Sequence, residues 1–194
     1  SGFRDGKWDV KALVRKMVTS QAYRQSSTPT PKLAKDDPGN RHYARQSRFR
    51  VDAEFVRDST LSISGMLVQK IGGKSVKPYQ PAGYWQHLNF PARKWQAGKG
   101  DELYRRSLYT FVCRSFPHPA MVAFDAPSRE ECAAERPRSN IPQQALVLLN
   151  DPVFVEAAKA LAERLLKEGD ATDAQRLEKI FSLTLTRKPT KQEQ

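Results

Sequence analysis

The sequence predicts a mainly α protein: a helical bundle broken by one long irregular loop rich in Gly, Pro and aromatic residues, which leaves room for no more than a short β-hairpin. Three observations carry this. Apolar residues recur at helical spacing towards both ends of the chain. The repeats in the second half are separated by turns of a few residues, as in antiparallel bundles. Residues 71–100 follow neither the helical nor the strand period. With 194 residues and 39% hydrophobic content the chain can bury one core, and it reads as a single domain with a basic helical half (1–67), an aromatic loop (68–100) and a second helical half (101–194).

The elements follow in order. Asp9 can cap a helix whose apolar positions are Val10, Leu13, Val14, Met17 and Val18, with Lys11, Arg15 and Lys16 facing away. Residues 26–40, with Pro29, Pro31 and Pro38, predict an extended connection that carries no core. A second long helix is expected from Asn40 or His42 to Leu67, burying Tyr43, Phe49, Ala53, Val56, Leu61 and Met66 around a charged centre. Residues 109–112 form a short apolar run that fits a strand or a buried helix, with helix favoured. Ser128 and Glu131 are spaced as a capping box for a short helix through Cys132.

Asn140 and Pro142 open a helix through Leu148, and Asn150, Asp151 and Pro152 break it and start the next. That next helix carries the stripe Phe154, Ala157, Ala158, Leu161, Ala162 and Leu165. A last helix, capped near Thr172 or Asp173, is expected to bury Leu177, Ile180, Phe181 and Leu185. Thr190 and Glu193 are spaced as a capping box for a helix the chain does not complete, so the sequence reads as a fragment of a larger protein. No apolar run reaches the roughly 18–20 residues that would cross a bilayer.

The formal charge of +12 is one-sided: residues 1–100 hold 19 Lys and Arg against 7 Asp and Glu, and residues 101–194 hold 14 of each. Such a half can attract a polyanion, or it can be a set of solvated faces. Nucleic acid is the weaker partner, because no helix-turn-helix, RRM or zinc-finger pattern accompanies the charge. In the aromatic loop, Lys74, Trp85, Lys94 and Trp95 could form a ligand surface in which rings stack on sugars; alternatively the rings pin the loop to the body. Gly72, Gly73, Lys74 and Ser75 are not a phosphate loop, because the required earlier glycine is Val68.

The charged centre of the second helix invites two readings. Glu54, Arg57 and Asp58 can pair across the fold with Arg105, Arg106 or Arg129 as a structural ion-pair network, since a buried charge needs a partner. Alternatively, two of Glu54, Asp58 and Asp125 form an acid and base pair of a carbohydrate-active enzyme. Geometry separates them: two carboxylates facing an open cleft favour the enzyme, and carboxylates closed off by arginines favour the module. His42, His87 and His118 have no metal-binding spacing, so no metal site is expected. Cys113 and Cys132 are two thiols or one disulfide. No CxxCH occurs, so the segment has no covalent haem site of its own.

Several short motifs occur in order along the chain: Trp8 and Asp9 with Lys11 and Arg15; SQAYRQS at 20–26; Asp37 and Pro38 with Asn40; AEFVRD at 53–58; Ser64 and Gly65; Gly72 and Gly73; Arg105 and Arg106 with Tyr109; FDAP at 124–127; Cys132; and PQQALVLLN at 142–150. Together they resemble a planctomycete-associated domain of unknown function, over nearly the whole chain. Arg138, Ser139 and Asn140 stand where that family usually has a threonine-rich turn. The resemblance implies the C-terminal part of a large exported protein, periplasmic or at the cell surface, lying after a cytochrome-c-like domain, so that c-type haem belongs to the parent and not to this segment. It implies no reaction. The expected role is a helical module that packs against the parent's upstream domains in a redox or polysaccharide-processing protein and offers a basic surface to anionic polysaccharide.

Overall fold

The computed structural model describes residues 2–87, 94–169 and 171–194. The chain is mainly α and forms two compact units, Ser1–Arg50 and Val51–Gln194.

In the first unit, α1 (Gly2–Asp5) leads through a turn, with Lys7 and Trp8 at positive φ, into α2 (Val10–Val18). Asp9 caps α2 by accepting from Ala12 N at 3.0 Å. Residues 26–40 do not stay extended: Thr30 caps a short α3 (Pro31–Asp36) by accepting from Leu33 N at 3.3 Å, and Pro31 at the first helical position is pre-set for it. Asp37 then fixes the following turn. Its carboxylate accepts from His42 N (2.9 Å) and Arg41 N (2.8 Å), which hold it below the ordinary carboxylate range, and its carbonyl accepts from the Arg45 guanidinium at 2.9 Å. This turn is why the second long helix does not begin at residue 40. Asn40 and Tyr43 sit at φ 51° and 52°, outside the helical region, and Tyr43 and Phe49 are exposed instead of buried.

The second unit is built on α4 (Ala53–Ser64), which ends at Gly65 in the left-handed region, φ 85°. Ala53, Arg57, Leu61 and Ser64 form its buried stripe. The remaining helices are α5 (Pro119–Ala123), α6 (Pro142–Asn150), α7 (Pro152–Leu166) and α8 (Asp173–Leu185). α4 packs chiefly on α7 and also touches α5 and α8, while α6 lies against α5 and α7. Asp151 ends α6 and caps α7, accepting from Val153 N at 2.9 Å. On α7 the buried positions are Val153, Phe154, Ala157, Leu161 and Leu165; Ala158 and Ala162 face out. Thr172 and Gln175 form a reciprocal capping box on α8. None of α8's described apolar residues is fully buried, and Leu185 is exposed; α8 touches α4.

Two further expectations change. Residues 109–112 are not a helix: a 3-10 turn (Ser107–Tyr109) gives way to extended backbone, because Val76 N donates to Tyr109 O and Phe111 N donates to Val76 O, both at 2.8 Å. Val76–Thr110 and Val68–Arg105 are single parallel bridges, so the loop pairs with this segment and makes no hairpin among the described residues. Residues 127–137 are not helical either. The Ser128 hydroxyl accepts from Glu130 N two residues on, a local turn that competes with the capping box, and Arg129 takes φ 62°.

The aromatic loop is pinned by its rings. Trp85 is 6% exposed; it stacks on Trp95 with centroids 5.3 Å apart, lies 5.6 Å from Phe116, and donates to Gln80. Trp95 Nε1 donates to Pro78 O at 2.9 Å. Phe90 and Arg93 of this loop lie outside the described residues.

Candidate functional site

The chemistry-bearing side chains of α4 lie on and beside its buried stripe, because Glu54, Arg57 and Asp58 are three or four residues apart. Arg57 is 3% exposed. Its guanidinium donates to Arg105 O at 2.8 Å, to Leu103 O at 2.5 Å and to the Ser107 hydroxyl at 3.4 Å. Burial pulls the Arg57 pKa down, and the charges of Asp58 (3.8 Å away) and Asp151 oppose that pull. The partners of this arginine are therefore mainly backbone carbonyls at the end of the Gly100–Tyr104 turn, with carboxylates behind them.

Asp58 accepts from both Ser107 N and the Ser107 hydroxyl at 2.7 Å, and the exposed Arg106 side chain lies at 3.9 Å. Asp125 is held in the same way by Ser139, whose N–H and hydroxyl both donate at 2.7 Å. This is how the structure uses the turn at Arg138, Ser139 and Asn140. Glu54 is closed by Arg136, which donates at 2.6 and 3.3 Å. Burial raises the Glu54 carboxyl, but the Arg136 guanidinium, helped by the field of Arg129, more than offsets this and leaves it below the ordinary range. Arg129 is thus a neighbour of Glu54 in charge, while Arg136 makes the contact.

Arg105 has other partners. Buried, it donates to the carbonyls of Gly72 (2.6 Å), Lys70 (3.0 Å) and Lys74 (3.2 Å), with its guanidinium 3.9 Å from the Tyr109 ring centroid. The Tyr109 hydroxyl in turn accepts from Gly72 N at 2.8 Å. Gly72 and Gly73 take φ 79° and 89°, a conformation that favours glycine, which accounts for the pair at this turn.

Three buried or half-buried groups lie outside the ion-pair network the sequence suggests. His118 is buried, its Nε2 2.8 Å from Tyr79 O, and burial pushes it down to about 4. It lines a small void with Arg57 and Asp151, and burial raises the Asp151 carboxyl. Tyr104 donates to Glu156 at 2.9 Å, and burial together with that carboxylate raises the phenol. A larger feature is an open groove of about 830 Å³ between residues 79–84, α5 and α6, lined mostly by apolar side chains including Pro81, Val122, Ile141 and Leu146.

The expected ligand surface does not assemble. Trp85 has its faces covered by other rings, Trp95 is half-buried, Lys74 is exposed and 3.8 Å from Glu102, and Lys94 is exposed. Cys113 and Cys132 are both free thiols, one half-buried and one exposed, so the alternative of a bridge is not taken. Among the described residues, no group of three or more His, Cys, Asp and Glu is placed to hold a metal ion, and no helix is long and apolar enough to cross a membrane.

A family model described as PSD1, protein of unknown function (DUF1553), matches residues 1–194. No curated protein and no solved structure matches the chain.

Proposed function

The chain belongs to this DUF1553 family, and we propose that its Val51–Gln194 unit is a non-catalytic packing module whose carboxylates hold the fold together and transfer no protons. One observation carries the reading: all three candidate carboxylates are engaged, Glu54 by Arg136, Asp58 by Ser107 with Arg106, and Asp125 by Ser139. A carboxylate whose oxygens are already taken up by N–H, O–H and guanidinium donors has little lone-pair capacity left to aim at a substrate proton. The apolar groove beside α6 supports packing against a neighbouring domain of the same parent polypeptide, the upstream one that the motif resemblance implies.

The test compares the wild-type chain with E54Q, D58N and D125N on chromogenic glycosides, alongside thermal melts. Melting temperatures that fall with no turnover to lose support the packing role. Turnover that D58N abolishes at an unchanged melting temperature sinks it. For the packing itself, a complex with the separately expressed upstream domains should form, and Leu146→Glu in the groove should weaken it.

Attraction for anionic polysaccharide rests on charge alone, supported by the basic residues 1–100 and by exposed Lys74 and Lys94, since Trp85 is turned inward. Heparin binding should therefore be lost between about 0.05 and 0.5 M salt, as the screening length contracts from roughly 14 to 4 Å. Binding that persists at high salt, or extends to neutral glycans, would require a specific site.

A further inference from the structure

Among its described residues, the first unit carries a helix whose apolar face is largely exposed. On α2, with about 100° per residue, Val10, Val14, Met17, Val18 and Leu13 fall on one arc of about 140°, and Lys11, Arg15 and Lys16 on the other. The space between α1 and α2 is lined by Phe3, Gly6, Asp9, Ala12, Leu13 and Lys16, so α1 meets only the Leu13 margin. The rest of the arc is open: Val10 is 62% exposed, Val14 45%, Met17 51% and Val18 40%. Trp8, just before the helix, is 64% exposed and Tyr23, just after it, 56%.

The net charge of the first unit is positive. Residues 1–50 hold 12 Lys and Arg against 4 Asp and Glu, a formal +8. Arg4, Lys7, Lys11, Arg15, Lys16 and Arg24 are all exposed. Of the acids nearby, Asp9 is occupied as the cap of α2 and Asp5 lies 3.6 Å from Arg4.

We infer that this face of α2 is a binding site for an anionic lipid surface, on which the helix lies flat. A helix that separates apolar and basic faces sharply while remaining modest in total hydrophobicity is suited to an interface and unsuited to spanning one. Trp8, edge-on to Phe3, and Tyr23 are exposed at the two ends of the helix, and both are ring types that favour the headgroup level. Exposed lysines and arginines flank the stripe and reach outward to phosphate, and cations near an anionic leaflet are attracted to it. A nine-residue helix is too short to hold by apolar area alone, so binding is weak, reversible and dependent on both its faces. This inference concerns the first unit and stands apart from the packing role of the second.

The test is flotation of the whole chain with vesicles of about 7:3 phosphatidylcholine and phosphatidylglycerol, against pure phosphatidylcholine, at about 0.05 and 0.5 M salt. The wild type floats with the anionic vesicles at low salt and at least about tenfold less with the neutral ones. V14E/M17E loses about tenfold or more, V14S/M17S loses less, and Q21E/Q25E, which changes charge by the same amount on exposed positions off the stripe, loses under about threefold. Circular dichroism of each variant checks that the helices remain. Equal losses in V14E/M17E and Q21E/Q25E would reduce the effect to bulk charge and overturn the inference, as would a wild type that floats with neither vesicle. A wild type that sediments as a dimer which V14E/M17E dissolves would assign the face to a second copy, and would equally overturn it.

Discussion

Replacing Arg57 by Leu is the sharpest test of what holds the second unit together. Leu keeps an apolar stem at a position only 3% exposed but supplies no donors. The carbonyls of Leu103 and Arg105, now bonded at 2.5 and 2.8 Å, would each be left unsatisfied, and a buried acceptor without a donor costs about 1–3 kcal/mol. Asp58 and the half-buried Asp151 would lose a cation, whereas the desolvation of the guanidinium itself would be relieved. Breaking a buried charge arrangement on one side usually costs ~3–5 kcal/mol, in line with the two carbonyls. For a unit of this size each kcal/mol moves the melting temperature by roughly 2–4 °C, so R57L should melt about 6–20 °C below wild type. Arg106→Leu is the control. Its side chain is 54% exposed and 3.9 Å from Asp58, and such surface pairs contribute under ~1 kcal/mol. Melting by circular dichroism with urea titration reads both. An R57L midpoint within about 2 °C of wild type, or an equal loss in R106L, would refute the reasoning.

Three other outcomes are expected. His118 is neutral in the fold down to about pH 4 but titrates near 6.5 when unfolded, so between those values only the unfolded chain takes up the proton, and stability should fall as pH drops through that window; His118→Asn should flatten that part of a melting-temperature profile. Trp85→Ala should destabilise by ~3–5 kcal/mol, a packing loss visible without any ligand. Arg105→Ala should leave α4 and α7 protected but speed amide hydrogen exchange across residues 70–74, because three carbonyl bonds that hold that turn are removed; unchanged protection there would show that Arg105 does not hold it.

What could be read from the sequence was local. Asp9, the cap near Thr172 or Asp173, and the Asn150, Asp151, Pro152 break announce helix ends through side chains that can bond to their own backbone neighbours, and the structure places helix ends at each. The error at residue 40 is of the same kind in reverse. Tyr43, Phe49 and Ala53 can be fitted to a loose stripe, but their spacing skips whole turns, while Asp37 collects the N–H groups of Arg41 and His42 into a competing turn. The ionic cluster was half visible. That Arg57 must be paired follows from its place in a core helix, but its partners are carbonyl oxygens, which every residue has and no sequence pattern marks. Arg136 reaches Glu54 from 82 residues away, and nothing in its neighbours distinguishes it from Arg129.

The way Arg105 is used bears on how this chain tolerates change. In residues 70–74 its guanidinium bonds to main-chain carbonyls, those of Lys70, Gly72 and Lys74, and these bonds involve no side chain of that turn. The turn is closed at its base by the Val68 and Val76 bridges and kept in shape by Gly72 and Gly73. A protein engineer could therefore treat Lys70, Ile71, Lys74 and Ser75 as positions open to randomisation, displaying new side chains on a frame that never inspects them. Arg105, Tyr109 and the two glycines would be the parts of the mount to leave untouched.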